Sequence, residues 1–297
     1  MEYIIETKGL TKQYPNKLAA DNINMHIKKG DIYGLIGKNG AGKTTTMKMI
    51  LGMNFPTSGS IQLFGSDNLD QGRSKIGSLI ESPGLYMNYT AYENLKAFSL
   101  IYGGTEEEIQ EILNIIGLNN TGKRKAKAFS LGMRQRLGIG IALLGNPEIL
   151  VLDEPINGLD PSAIKDVRDT LLRLNQEKGT TILISSHLLD ELAKITTCYG
   201  IINQGRLIEE IDADALMERC KQGLMITVNN VDQTIAVLQN NYADIEYKVK
   251  DHTITLYTHF DHPEQINQLL VTNHIEVSEL KFNEDGFENY FIERIGK

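Results

Sequence analysis

The sequence predicts an α/β fold, an open sheet with parallel strands, followed by a smaller α+β unit. Three observations predict it. Gly37-Lys38-Asn39-Gly40-Ala41-Gly42-Lys43-Thr44 fits G-x-x-x-x-G-K-[ST] and lies between an apolar run at 32–36 and a periodic apolar stretch at 45–51. Ile149-Leu150-Val151-Leu152 is uninterrupted and apolar, as a strand buried on both faces is, and it ends in Asp153-Glu154. Past residue 213 the pattern and the charge both change. Residues 214–297 hold 14 acidic and 7 basic side chains, so −7 of the net charge of −8, leaving −1 for residues 1–213.

In chain order, residues 3–8 and 23–28 alternate apolar and polar positions, as paired strands do. Tyr14, followed by Pro15, reads as a loop residue packing on its neighbours. In the glycine loop, the glycines permit a tight turn with inward N–H groups, and the helix start behind them adds partial positive charge. Such a loop binds phosphates. Lys43 is expected to reach the β- and γ-phosphates, and the Thr44 hydroxyl to bind Mg²⁺.

Pro56-Thr57-Ser58-Gly59 is a turn, residues 60–65 alternate again, and an apolar run at 76–80 closes on Glu81-Ser82-Pro83-Gly84. From Thr90 to about Asn119 two helices are expected, separated by Gly103-Gly104, the second capped by Thr105 with three glutamates in its first turn. The basic run at 123–127 reads as a solvated loop. Ser130 precedes an apolar helix expected at 137–144, and suits both an N-cap and a helix-start anion ligand. The sequence leaves both open.

Carboxylates beside a buried strand are costly unless they meet a cation or a proton. With a phosphate loop upstream, Asp153 is expected to hold Mg²⁺ and Glu154 to orient and deprotonate an attacking water. Gly158-Leu159-Asp160-Pro161 turns into an amphipathic helix at about 162–177, and a buried strand at 180–185 ends in Ser186-His187. That places His187 at the carboxyl edge of the sheet, where ligands bind in open α/β folds. A helix at 188–195 and closing strands within 199–211 complete the first unit. Beyond it, strands at 224–228, 245–249, 253–257 and 275–282 with helices at 231–240 and 263–272 give β-α-β-β-α-β, a ferredoxin-like order, followed by a final helix at about 286–295. The histidines at 252, 259, 262 and 274 match no metal spacing and read as solvated.

Composition narrows the function. A net charge of −8 gives nucleic-acid binding no electrostatic support. Cys198 and Cys220 form no metal or redox spacing and read as reduced thiols of a cytosolic protein. The first six residues carry no signal-peptide pattern. The apolar stretch at 137–144 is far short of the roughly 18 residues a membrane span needs, so a membrane role requires another chain. Asn-Lys-x-Asp, which a GTPase would carry after the metal strand, is missing.

The phosphate loop, the acidic loop at Glu81, Phe129-Ser130-Leu131-Gly132-Met133, the Asp153-Glu154 strand, Gly158-Leu159-Asp160 and His187 come in an order that resembles the ATP-binding subunit of an ABC transporter, over about residues 2–213. The resemblance implies a P-loop ATPase core with an antiparallel β subdomain and a helical subdomain at about 85–128, ATP and Mg²⁺ as ligands, and a cytoplasmic location, peripheral to the membrane through a permease partner. It implies a head-to-tail dimer in which each ATP lies between one copy's phosphate loop and the other copy's Ser130 and Gly132. In that scheme Tyr14 stacks on adenine, and Gly37, Asn39, Gly40, Ala41, Gly42, Lys43, Thr44 and Thr45 cradle phosphates. His187 contacts the γ-phosphate and Asp160 lies at the dimer crossing.

Two departures stand out. The signature is Phe-Ser-Leu-Gly-Met where the family usually has Leu-Ser-Gly-Gly-Gln. Glu81 occupies a position usually held by a glutamine near the metal, which is similar to lantibiotic self-immunity and bacitracin-resistance exporters, as is the tail Gly286-Phe287-Glu288-Asn289-Tyr290-Phe291. Export of a peptide or antibiotic is therefore the leading expectation, with Glu81 as a metal contact. Phosphate repulsion should raise its pKa unless Mg²⁺ offsets it. The alternatives are an importer subunit with a regulatory C-terminal domain, or a soluble ABC ATPase acting on DNA or ribosomes. Against the latter, only residues 45–128 separate the phosphate loop from the signature, and the chain has one cassette.

Overall fold

Alternating and continuous hydrophobic patterns sort the strands of the first unit into two sheets. The computed structural model describes residues 3–102, 104–221, 223–283 and 287–296. By its internal contacts the chain divides into residues 1–213 and 214–297.

In the first unit β1 (Tyr3–Tyr14) and β2 (Lys17–Lys28) form a hairpin, and the wholly buried β3 (Ile32–Ile36) leads to α1 (Lys43–Ile50). β4 (Ser58–Leu63) returns to the far edge of β1, giving an antiparallel sheet of order β2-β1-β4. Ile5, Leu10, Ile23, Met25 and Ile27 bury its inner face. Next come α2 (Leu69–Arg73), β5 (Ile76–Leu79), α3 (Ala91–Tyr102), α4 (Glu106–Ile115) and α5 (Leu131–Ala142). Then follow β6 (Ile149–Asp153), α6 (Pro161–Lys178), β7 (Thr181–Ser186), α7 (Leu189–Leu192), β8 (Cys198–Asn203) and β9 (Arg206–Asp212).

The second sheet has the order β5-β6-β7-β3-β8-β9 and is parallel except for the β8–β9 hairpin. β3, β6 and β7 are buried at every position, which is why their sequences show no alternation. Burial of one such Leu or Ile side chain stabilises the fold by about 1.5–3 kcal/mol. This dry interior gives the sheet edge a rigid base.

The second unit holds α8 (Ala213–Arg219, which spans the division), β10 (Gly223–Val228), α9 (Val231–Asn241), β11 (Tyr247–Lys250), β12 (Thr253–Leu256), α10 (Pro263–Thr272), β13 (Val277–Asn283) and α11 (Phe287–Gly296). Its antiparallel sheet has the order β11-β12-β10-β13, so the two strands that begin and end the β-α-β-β-α-β run are neighbours. Leu224, Ile226, Ile254 and Leu256 on the sheet bury against Leu238, Ile266 and Leu270 on the helices. Among the described residues no helix is long and apolar enough to cross a membrane.

Several elements differ from the sequence pattern. β1 and β2 extend well beyond residues 3–8 and 23–28, because register shifts between Thr7 and Leu10, and again between Leu10 and Gln13, break the two-residue period. Tyr14 is therefore the last residue of a strand, not a loop residue. α5 begins at Leu131 rather than Leu137: Gln135 is buried, and Arg136 reaches the Ile116 carbonyl and Asp166, so polar residues that hide the period still pack. α7 is one short turn. The Ser186 hydroxyl accepts the Leu188 N–H, which delays the helix start. α2 has no signal in the apolar pattern. Gly103 and Gly286 lie outside the described residues.

Candidate functional site

Three neighbouring parallel strands, β6, β7 and β3, end together. Asp153 pairs in register with Ser185, and Ile36 with Ser186. Residues following β3, β6 and β7 thus meet at one edge, namely the glycine loop, Glu154 and His187.

The loop is clamped from two sides. A Cβ on Gly37 would lie 2.3 Å from the Ile202 carbonyl, and one on Gly42 would lie 2.6 Å from the Ala19 carbonyl. Gly42 also has φ +114°, which only glycine adopts readily. The β8–β9 turn completes the clamp, with the Gly205 N–H donating to the Ala41 carbonyl at 2.8 Å.

Within this frame the polar side chains contact one another. Lys43 is 5% exposed, and its Nζ donates to the Gly37 carbonyl at 2.6 Å and lies 3.1 Å from Glu154 Oε1. That second contact is an ion pair without hydrogen-bond alignment. Glu154 Oε2 lies 2.9 Å from His187 Nδ1, and a carboxylate only accepts, so Nδ1 carries the hydrogen. Asp153 is buried and accepts from Thr44 Oγ1 at 2.7 Å and Ser185 Oγ at 2.6 Å. Ser185 Oγ in turn accepts the Glu154 N–H at 2.9 Å. Glu154 sits at φ +50°, a left-handed turn that swings its carboxylate from the strand towards Lys43 and His187.

A hydroxyl and a buried carboxylate 2.7 Å apart form a hard-oxygen donor set suited to Mg²⁺. The chemistry of this donor pair is what fits the metal.

A cavity of about 150 Å³ opens onto the loop, and its lining includes Lys17, Asn39, Gly40, Lys43, Thr44 and Glu154. Two of the residues at this edge escaped the sequence reading. Ser185 was hidden inside an apolar strand and shows its role only through register. Lys17 precedes the loop by twenty residues and reaches it through the β1–β2 turn.

Other expected site residues stand elsewhere. Ser130 caps α5, accepting the Met133 N–H at 3.2 Å, and Asp160 caps α6, accepting the Ala163 N–H at 2.9 Å. Gly132 is buried where a Cβ would lie 2.5 Å from Ala163 Cβ. None of these three lines the cavity. Tyr14 is exposed at the hairpin tip, its hydroxyl accepting from Asn54 Nδ2 at 3.1 Å.

Glu81 makes no contact with the Thr44–Asp153 pair among the described contacts. Its exposed carboxylate meets Lys48 Nζ at 2.6 Å, one helical turn after Thr44, and lines a separate groove. The hydrogen bond and charge of Lys48 hold its carboxyl below the usual range.

This geometry has known counterparts. A family described as ABC transporter matches residues 20–157. The bacitracin transport ATP-binding protein BcrA of Enterococcus faecalis is 41% identical over all of this chain and 97% of its own, and its Bacillus licheniformis counterpart is 42% identical over all of this chain and 98% of its own. The chain belongs to the ABC transporter ATP-binding proteins. The lantibiotic transport ATP-binding protein SrtF of Streptococcus pyogenes is 44% identical over 71% of this ABC protein and 92% of its own length. Among solved structures, a dimeric ATP-binding cassette in a post-hydrolysis state with ADP and Pi matches 70% of the chain and 98% of its own, with TM-score 0.63 and 26% identity. This ABC subunit is an ATP hydrolase.

Proposed function

We propose that this chain powers export of a peptide or antibiotic as the ATP-hydrolysing subunit of a membrane transporter. The observation that carries the reading is the full-length similarity to two bacitracin transport ATP-binding proteins, which includes residues 214–297. The subunit acts in the cytoplasm, held at the membrane by a permease.

The loop N–H groups and Lys43 bind the triphosphate, whose charge competes with Glu154 for Lys43. Thr44 and Asp153 would hold Mg²⁺, which neutralises phosphate charge when bound. Glu154 accepts a proton from the attacking water, and His187 fixes one of its oxygens. Tyr14 stacks on the base. The second copy supplies Ser130 and Gly132 at the start of α5, along with its Asp160 loop. The Ser130 oxygen already accepts one N–H, yet its own O–H remains available to donate to a phosphate. The cap and ligand roles are thus compatible.

The groove of about 390 Å³ that holds Lys48, Met53, Leu79, Glu81, Phe98 and Ile141 is the proposed permease dock. It lies one helical turn along α1 from Thr44, so Glu81 couples the site to the partner.

The test is expression with the cognate permease in a susceptible host. Bacitracin or lantibiotic tolerance should rise, and Glu154→Gln should abolish the gain. Full ATPase activity with no change in tolerance to either class would refute the export assignment.

A further inference from the structure

We propose that Lys17 is a second cation for the nucleotide's polyphosphate, supplied from outside the phosphate loop, and that it sharpens the preference for a triphosphate over a monophosphate. The inference rests on the ATP-binding reading above.

Three observations carry it. First, Tyr14 and Lys17 are register partners across the two-residue turn Pro15-Asn16, so one hairpin tip presents an aromatic ring and a cation together. Second, Lys17 Nζ lies 3.5 Å from the Gly40 carbonyl and lines the same cavity as Asn39, Lys43, Thr44 and Glu154. Gly40 has φ +81°, and this fixes the direction of its carbonyl. Third, Lys17 has no carboxylate partner among the described residues, whereas Lys43 is already engaged by a carbonyl and by Glu154.

At 3.5 Å the contact with Gly40 is at the limit of a hydrogen bond and holds the hairpin weakly. A lysine ammonium on a flexible stem, next to inward-facing loop amides, exchanges such a contact for a phosphate oxygen readily. The residue has charge and reach, and no carboxylate pairs with it among the described residues. A purely structural tether would need a shorter bond or a buried partner.

The experiment uses the full-length protein with Mg²⁺. ATP and AMP affinities are measured by competition against a fluorescent ATP analogue, for wild type, Lys17→Gln and Lys17→Arg. Lys17→Gln should weaken ATP by about 5- to 20-fold, at the lower end for a charge-assisted hydrogen bond near solvent. AMP affinity should change less than twofold, Lys17→Arg should restore most ATP affinity, and the nucleotide-free melting temperature should not move. Equal losses for ATP and AMP, unchanged ATP affinity, or a nucleotide-free melting temperature lowered by both variants would overturn the assignment. A wild-type protein that binds neither nucleotide would instead overturn the ATP-binding reading itself.

Discussion

The strand-edge half of the site and its helix-start half are built on opposite principles. At the strand edge, Lys43, Thr44, Asp153, Glu154, Ser185 and His187 form one chain of contacts of 2.6–3.1 Å beside a dry sheet. At the helix starts, Ser130 and Asp160 each bond only the first turn of their own helix in the described contacts, and both face solvent. One half is complete within a single copy. The other exposes polar side chains that, among the described residues, bond nothing beyond their own helix. Burial makes each polar group at the edge depend on its neighbours, whereas exposure leaves the helix starts free to act on a second molecule.

Substitutions can break this contrast, and the largest effect should come from Glu154→Gln. Loss of the base should lower steady-state ATP hydrolysis by about 10²–10⁴-fold while ATP binding persists. A variant that retains wild-type turnover would remove Glu154 from the chemistry. Lys43→Ala should act one step earlier and weaken ATP binding by about 10- to 100-fold, as expected for charge-assisted bonds. Equilibrium titration would expose the error if affinity stayed within twofold.

The helix-start half should respond differently. Ser130→Ala, made in the Glu154→Gln protein, should cost about 1 kcal/mol of stability through the lost cap. It should leave ATP binding by dilute monomer unchanged but prevent ATP-dependent dimerisation in size-exclusion chromatography. A dimer that forms as before would mean that the two halves do not meet across copies. Gly132→Ala should add about 1–3 kcal/mol of overpacking against Ala163, measurable as a lower denaturation midpoint.

Cys198 reports on the dry interior behind the edge. Burial pushes its thiol from 9.0 up to about 12. The folded pKa is raised, so the folded state favours the neutral thiol. That contribution is complete below about pH 9 and is lost as pH rises from there towards 12. Iodoacetamide at pH 8.5 should therefore modify Cys198 far more slowly than in denaturant, as read by mass spectrometry. Equal rates would contradict a closed interior. The smallest effect on the isolated subunit should come from Glu81→Gln. It removes an exposed ion pair with Lys48 and should leave melting and ATPase activity nearly unchanged, with transport altered only in the assembled complex. A large loss of basal ATPase activity would show Glu81 to be part of the nucleotide site instead.

Much of the strand edge is legible in the sequence because its signals are local. Eight consecutive residues specify the loop, and Asp153-Glu154 terminate an apolar run that reads as a buried strand. Ser185 and Lys17 are illegible because their partners lie in other elements: Asp153, 32 residues earlier, and the Gly40 carbonyl, 23 residues later. Glu81 shows the converse. A family position suggests a metal contact, while the pairing with Lys48 on α1 becomes visible only in the fold.

The sequence by itself determined the α/β core, the β-α-β-β-α-β order past residue 213 and the phosphate loop, since residue periodicity and glycine placement are properties of short windows. Tertiary structure alone decided the bulged length of the first hairpin, the early start of α5, the Ser185 bridge and the partner of Glu81. Each of these depends on register or on packing between distant segments, where a shift of one residue exchanges a buried side chain for an exposed one.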